Sequence, residues 1–430
     1  MSNKVIFNAD DFGISQGVNA AIFEAYNDGI LNAASLMVNQ KYATQAIELS
    51  TKMPNLDLGL HVNLTNEYPA LDASKIPLLT GKDGKFKNGF LKLLLFSIFK
   101  PKMLREEVRA EMEAQIIKAQ QMGVQLKHID SHRHVHMIPL IFKVMLELKE
   151  KYGIKRIRVI NECALMTIKT NKSFSFLFDG GLIKYFLLRF FCLLNAYQSK
   201  TYFYTMLYTC KLSKEHFKKI LVPYNYDDVE IMIHPSVTTI DDCHKEDVFD
   251  ENVLSDWRSK ELETLLDKNL LKNFEFHAKY PFLIDLYLKI EHLWFEKIPE
   301  KIRFLLVGGF NTVFAYAFYA FLFAVCGLPY LFSLLIQWFV TVNLSILTMR
   351  YYVFQSKGDV FAEFMKAWSV YIFLFFANVI GLSFLIEICK INPLLAQGIY
   401  LTFSTILTYI LHKYFSFRKK VSKKKNANQI

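Results

Sequence analysis

The stretch from residue 128 to residue 136 reads His128-Ile129-Asp130-Ser131-His132-Arg133-His134-Val135-His136. Four imidazoles and a carboxylate are thus close together, although histidine occurs only 11 times in the 430 residues of the chain. Alternate side chains of an extended backbone point to the same face, so we expect His132, His134 and His136 to share one face. That arrangement would aim several metal-binding or proton-transferring rings into one pocket. The alternative is a loop that is merely rich in histidine, which this concentration of imidazoles disfavours.

Polar groups also mark other predicted strands. Asp10 and Asp11 come directly after the first strand, His61 lies near the end of another, and His234 follows a later one. Two adjacent carboxylates are costly to bury without a cation, whereas a helix cap would need only one aspartate. A lone histidine in an apolar strand is more often a core residue, so His61 becomes a candidate only through the similar chemistry at the other strand ends.

Strand and helix patterns alternate over residues 1–277. This alternation predicts an α/β fold with parallel strands, arranged as a barrel or an open sheet. Because active sites of such folds gather at the carboxyl ends of the strands, we expect the polar groups described above to form one site there.

The composition excludes several classes of protein. Hydrophobic residues make up 52% of the chain and the net charge is +11, but no zinc-finger or RNA-binding signature occurs, so we expect no nucleic-acid partner. The six cysteines are scattered and form no C-x-x-C pair, which favours a reducing compartment. The first predicted strand begins almost at the first residue and leaves no room for the apolar core of a signal peptide, so we expect the first domain in the cytosol.

The last third of the chain has the character of a membrane domain. No acidic residue, lysine or arginine occurs over residues 304–349, and a bilayer-spanning helix needs about 20 apolar residues. We predict a linker, a membrane domain with four spans and a basic cytoplasmic tail; buried helices of a soluble domain are the alternative. The predicted ranges are 278–300 for the linker, 301–418 for the membrane domain, about 302–326, 329–349, 367–387 and 391–412 for its spans, and 419–430 for the tail.

Positive charges flank the predicted spans on one side. Lys297, Lys301 and Arg303 precede the first span, and Arg350 and further lysines occupy the second loop. Cytoplasmic loops carry an excess of lysine and arginine. We therefore expect a multi-pass protein of the cytoplasmic membrane with both termini and the first domain in the cytoplasm.

Two segments of the first domain are unusually apolar. Residues 90–96 are apolar and basic, and residues 173–212 are rich in leucine and aromatic residues but carry cations. The first segment fits a substrate lid, a membrane-touching helix or an ordinary packed insertion. The second fits amphipathic helices that wall the site or lie on a bilayer.

Residues 1–277 resemble the YdjC-like carbohydrate deacetylases, which include chitooligosaccharide deacetylase. The matching pieces are Asn8-Ala9-Asp10-Asp11-Phe12-Gly13, Gly59-Leu60-His61, the histidine-rich stretch at 128–136, and Ile233-His234-Pro235. The resemblance implies a distorted (β/α) barrel related to polysaccharide deacetylases. It also implies removal of acetyl groups from N-acetylated sugars with a divalent metal, described as magnesium or zinc.

Carried over by motif position, Asp11, His61 and His132 look like the metal ligands, Asp10 like the general base and His234 like a general acid. A metal with open positions would activate water and stabilise oxyanion charge. The neighbouring groups fit supporting roles, either orienting the ligand imidazoles or binding sugar hydroxyls; they are Asp130, His134, His136, Arg158 and Glu162. Nitrogen ligands favour zinc or another transition metal, whereas bound waters would suit magnesium, so the metal stays open.

Residues from about 302 to 418 resemble the GtrA-like family of four-helix membrane proteins. The matching pieces include Arg303-Phe304-Leu305-Leu306-Val307-Gly308-Gly309-Phe310-Asn311-Thr312 and His412-Lys413-Tyr414-Phe415-Ser416-Phe417. That resemblance implies work on polyprenyl-phosphate-linked sugars, so we predict a deacetylase of an N-acetylated, lipid-linked sugar, with a glycosyltransferase as a potential partner. The alternative is a glycolipid flippase or scaffold whose barrel only binds sugar.

Overall fold

A computed structural model describes residues 3–171, 181–209, 211–242, 251–326, 328–356 and 358–418. The chain divides into two compact units, Met1–Phe282 and Leu283–Ile430. The predicted basic tail at 419–430 and part of the predicted aromatic segment at 173–212 lie outside the described residues.

The first unit is built on a parallel sheet of seven strands. Their spatial order is β5-β4-β3-β2-β1-β8-β6, and every neighbouring pair is parallel. Two further strands, β7 and β9, form a separate parallel pair. The strands are β1 (Val5–Phe12), β2 (Ala33–Leu36), β3 (Asp57–Val62), β4 (His128–Ser131), β5 (Arg156–Ile157), β6 (Thr201–Tyr204), β7 (Ile220–Pro223), β8 (Asp228–Ile233) and β9 (Phe274–Ala278).

The sheet is curled into a half-barrel, which confirms the predicted distorted α/β barrel. Its edge strands β5 and β6 are bridged by the side chain of Asn161. The Asn161 amide nitrogen donates to the carbonyl of Thr201 at 3.0 Å, and its oxygen accepts from the backbone N–H of Phe203 at 2.7 Å. The side-chain amide thus supplies the two hydrogen bonds that a neighbouring strand would otherwise provide.

Helices cover the sheet because parallel strands need long crossover connections. Strand residues such as Phe7, Leu60 and Ile129 are fully buried in the hydrophobic core of the unit. The helices of the first unit are α1 (Gln16–Asn27), α2 (Ala43–Ser50), α3 (Phe90–Phe99), α4 (Pro101–Gln121), α5 (Pro139–Lys151), α6 (Ala164–Asn171), α7 (Gly181–Asn195), α8 (Thr238–Asp242) and α9 (Asp256–Leu265).

The second unit is helical. Among its described residues, three helical segments are long and apolar enough to cross a membrane, namely Glu300–Ala324, Tyr330–Val353 and Val360–Ile388. The fourth predicted span, 391–412, coincides with a further helix and remains a prediction as a span. The helices are α10 (Phe282–His292), α11 (Glu300–Ala320), α12 (Tyr330–Thr348), α13 (Val360–Ser383) and α14 (Pro393–Leu411).

Candidate active site

Asp10 and Asp11 lie at the carboxyl end of β1, and both are buried. Strict alternation along a strand would send the two side chains to opposite faces. Here the register shifts between Ala9 and Phe12, and Asp11 adopts a left-handed φ of 64°, a conformation that aspartate tolerates better than most residues. Both carboxylates therefore reach the ring of His61, at 3.9 Å from Asp10 and 3.5 Å from Asp11.

The three predicted metal ligands converge. The Nδ1 atom of His132 lies 3.0 Å from Oδ1 of Asp11, and Nε2 of His61 lies 3.5 Å from the same oxygen. One ligand atom from each residue lies within 4.8 Å of the other two. A carboxylate oxygen and two imidazole nitrogens in this arrangement are a donor set that zinc and related divalent ions accept. These residues therefore fit a metal ion chemically and spatially.

A second group of potential ligands consists of Asp10, His61 and Asp130. It fits a metal less well, because Asp130 accepts a hydrogen bond from Nδ1 of His61 at 2.5 Å and both carboxylates are already paired with a guanidinium. In the neutral ring of His61, a proton on Nδ1 leaves the lone pair on Nε2, which faces Asp11. Asp130 is thus placed to fix the tautomer of the ligand histidine.

The histidine-rich stretch is not extended throughout, so the prediction that His132, His134 and His136 share one strand face is wrong. Strand β4 ends at Ser131, and residues His132–Met137 form a 3-10 segment in which Arg133 and His134 both have φ values of 55°. The left-handed pair breaks the extended conformation; the rings of His134 and His136 lie edge to face with centroids 6.3 Å apart, away from the contact that His132 makes with Asp11. Only His132 contacts the carboxylate of Asp11.

His134 and His136 occupy different surroundings. His136 is fully buried; its Nδ1 accepts from the hydroxyl of Ser131 at 2.6 Å, and its Nε2 donates to the carbonyl of Arg158 at 3.2 Å. Both ring nitrogens therefore form hydrogen bonds with neighbouring residues of the site. His134 lies edge-on to Phe203 and has no hydrogen-bond partner at Nδ1. Burial lowers the pKa of His134 well below its usual range and that of His136 to about 4, so both rings are neutral at pH 7.

Arg158 ties the carboxylates of the site together. Its guanidinium is bidentate to Asp10, at 2.6 and 2.7 Å, and also contacts Asp130 at 2.9 Å and Glu230 at 2.6 Å. A buried guanidinium with this fork geometry neutralises the acids and holds their orientation. Arg158 thus positions Asp10 rather than reaching outward to a sugar.

His234 follows β8 and faces Asp10, with 4.0 Å between Nε2 and the nearer carboxylate oxygen. Behind it lies the fully buried Glu261, whose Oε2 accepts from the backbone N–H of His234 at 2.5 Å and lies 3.8 Å from Nδ1. Glu261 thus holds the backbone of His234 in place beside the site.

Sequence reasoning missed several residues of the site. Arg258 on α9 donates to Asp11 at 2.8 Å, and Asn66 lies 3.1 Å from Nε2 of His132. Ser35 donates to Asp130 at 2.7 Å and accepts from Asn8 at 2.9 Å. A serine inside an apolar strand was a signal that could have identified Ser35, whereas nothing in the local pattern around Arg258 points to Asp11.

The charges of the three predicted ligands follow from their surroundings. Burial alone would raise the pKa of Asp11, but His132, His61 and Arg258 hold it well below its usual range. Burial would lower the pKa of His61, but the carboxylates of Asp130 and Asp10 outweigh it and raise the pKa to about 10. For His132 burial exceeds the attraction of Asp11, so its pKa is lowered. Near pH 7 the metal-free cluster thus holds an anionic Asp11, a neutral His132 and a protonated His61, whose Nε2 proton a bound metal would displace.

Glu162 lies outside this cluster. Its carboxylate is fully buried and accepts from the hydroxyl of Thr167 at 2.8 Å and from the backbone N–H groups of Met206 and Leu207 at 2.7 and 3.2 Å. These contacts tie α6 to the segment after β6. Burial raises the pKa of Glu162 to about 7, even though the hydrogen bonds act in the opposite direction.

The raised pKa of Glu162 predicts a specific pH dependence of stability. Between pH 4.5 and about 7 the folded chain keeps a proton that the unfolded chain has released, so the free energy of unfolding should fall as pH rises. The shift corresponds to about 3 kcal/mol. Glu162→Gln cannot titrate and should flatten this part of the pH profile of thermal unfolding, whereas the exposed control Glu263→Gln should not. Equal profiles for Glu162→Gln and the parent would contradict the prediction.

Comparison with known proteins identifies the family. A family model described as YdjC-like protein matches residues 4–275. The chain belongs to the YdjC-like family. A second model, the GtrA/DPMS transmembrane domain, matches residues 303–417. This YdjC-like chain therefore combines an α/β unit with a membrane domain.

Several curated relatives of this YdjC-like chain are named carbohydrate deacetylase. One from Brevibacillus brevis is 38% identical over 151 residues, which are 35% of this chain and 57% of that protein. Carbohydrate deacetylase 1 of Listeria innocua is 32% identical over 235 residues, which are 54% of this chain and 81% of that protein. A protein of Enterococcus faecalis V583 with a solved crystal structure is 25% identical in sequence to this chain. The structural alignment has a TM-score of 0.42 and covers 64% of this chain and 94% of that chain.

Proposed function

We propose that this protein is a metal-dependent deacetylase of N-acetylated carbohydrates. The observation that carries the proposal is the convergence of Asp11, His61 and His132, within 4.8 Å of one another, beside the buried carboxylate of Asp10. The names of the curated relatives support the same reaction.

Asp11, His61 and His132 would hold the divalent ion, either zinc or magnesium. Such an ion supplies Lewis-acid activation of the acetyl carbonyl and of water. Asp10 lies beside this set and is held by Arg158, so it is placed to take the proton from the attacking water. A binding module would need no such base next to its metal ligands.

His234 is proposed as the general acid. As the oxygen of water bonds to the acetyl carbon, the C–N bond breaks and the amine nitrogen needs a proton. His234 faces the same space as Asp10 and has Glu261 behind it, so a protonated His234 can deliver that proton to the amine. The products are acetate and the free amino sugar.

The membrane unit supports a lipid-linked substrate. Residues 303–417 match a transmembrane domain, and three helical segments can cross a bilayer. Tethering the catalytic unit at the membrane would raise its effective concentration on a glycolipid or a polyprenyl-phosphate-linked sugar. The cations flanking the spans favour the cytoplasmic face. A glycosyltransferase that makes or consumes the lipid-linked sugar is the proposed partner.

Acetate release tests the proposed reaction. The purified full-length protein, stripped with a chelator and reloaded with zinc or magnesium, should release acetate from N-acetylated oligosaccharides or from lipid-linked N-acetylated sugars. Metal content measured on the same samples should rise with reloading, and the stripped protein should be inactive. Absence of acetate across both substrate panels, with metal bound, would contradict the proposal.

A further inference from the structure

Helices α3 and α7 of the catalytic unit carry large apolar side chains on their outer surfaces. Phe99 is 75% exposed and Ile183 is 76% exposed. We call this surface the α3/α7 face; it includes Leu91, Leu95, Phe99, Ile183, Phe186 and Phe190. On α3 the exposed positions recur at helical spacing, so they form one continuous stripe.

Helices α3 and α7 are neighbours, and each carries apolar side chains on its core-facing side and on its exposed side. The rings of Phe90 on α3 and Phe191 on α7 stack with centroids 6.2 Å apart. Leu93 and Leu188 are buried in the core of the unit, so the exposed stripe is not the core-facing side. A surface helix of a soluble protein normally presents polar residues outward. A contiguous apolar face of this kind marks an interaction surface.

The charges on these helices identify the partner. Lys92, Lys100 and Lys102 are exposed on or next to α3, and neither residues 90–103 nor residues 181–195 contain an aspartate or a glutamate. Cations beside an apolar stripe complement the anionic headgroups and acyl chains of a phospholipid surface. A second copy of the same face would bring like charges together, which is unfavourable.

We propose that the α3/α7 face of the catalytic unit lies in the interface of an anionic bilayer. The chain itself brings a bilayer within reach, because its second unit has three helical segments able to span one. Both helices also pack against the 3-10 segment that carries His132, and Asn195 of α7 donates to the carbonyl of Met137 at 3.0 Å. The membrane contact therefore borders the loop that supplies a predicted metal ligand. The proposed membrane contact depends only on the α3/α7 face, so it is independent of whether the protein catalyses the proposed reaction.

Depth-dependent quenching tests this contact in the intact protein. Phe99→Trp and Phe186→Trp variants of the full chain are placed singly in nanodiscs of phosphatidylserine and brominated phosphatidylcholine, and the emission of the native tryptophans is subtracted. An in-plane helix buries its apolar face about 5–10 Å into the headgroup and acyl boundary, so each introduced tryptophan should lose at least about half of its emission.

The matched control is Lys52→Trp; Lys52 is exposed and precedes the amino end of β3, whereas the 3-10 segment follows the carboxyl end of β4. It should remain unquenched. Lys92→Glu together with Lys100→Glu should weaken quenching of the Phe99→Trp signal. Unquenched emission at both positions of the face would overturn the proposal. A different result would assign the face to a second copy of the chain. In that case the tryptophans stay unquenched in the nanodiscs but become shielded from iodide when the detergent-solubilised protein self-associates.

Discussion

His132→Ala should abolish deacetylation and weaken metal binding in the same variant. The imidazole is one of only three side chains in the best ligand group, and its Nδ1 faces the Asp11 carboxylate at 3.0 Å. Changes to residues that merely orient metal ligands cost 10- to 100-fold in affinity or activity, so loss of a ligand should cost more than about 100-fold. Metal content of the purified variant and acetate release at saturating metal measure the two effects.

The matched control for His132→Ala is His277→Asn. His277 is an exposed histidine of the same unit with a left-handed φ of 61°, which asparagine tolerates. This variant should keep both metal and activity. Thermal unfolding of the two variants separates loss of the ligand from loss of the fold. A His132→Ala protein that binds metal as tightly as the parent would remove His132 from the metal site.

Asp10→Asn should keep the metal but lose turnover. Asparagine preserves the size of the side chain and cannot accept the proton of the attacking water, and removal of a general base typically lowers the rate about 10²- to 10⁴-fold. The loss should appear in kcat, with KM and metal content little changed. Arg158 would still be paired with Asp130 and Glu230, so the buried guanidinium would not be left without a carboxylate.

Asp57→Asn is the matched control for Asp10→Asn. Asp57 is also paired with a histidine, at 3.0 Å from His128, but it lies at the amino end of β3 and reaches Asp130 only indirectly, through His128 and Ser35. Its replacement should leave kcat unchanged. If Asp10→Asn instead released the metal, Asp10 would be a ligand rather than the base. If it turned over as fast as the parent, another group would have to accept the proton.

Most of the order of strands and helices follows from the sequence, because alternation of period 2 or 3.6 reports which side of each element is buried. The prediction of amphipathic helices for residues 173–212 is wrong at Thr201–Tyr204, which form strand β6; this strand is buried on both faces and therefore shows no alternation. The polar residues at the strand ends were also visible, since Asp10, Asp11 and His61 interrupt apolar runs. The resemblance to known deacetylases then selected Asp11, His61 and His132 as ligands, and the structure brings these three together.

The sequence by itself determined the α/β class, the apolar helices of the second unit and the residue types available for chemistry. Only the tertiary structure decided the orientation of those residues. Asp11 is directed into the site by its left-handed backbone conformation, and residues 132–137 form a 3-10 segment instead of continuing β4. Arg258 lies 247 residues from the Asp11 that it contacts. Local periodicity carries no information about such long-range pairs or about left-handed residues, because both are maintained by the surrounding fold rather than by neighbouring residues in the chain.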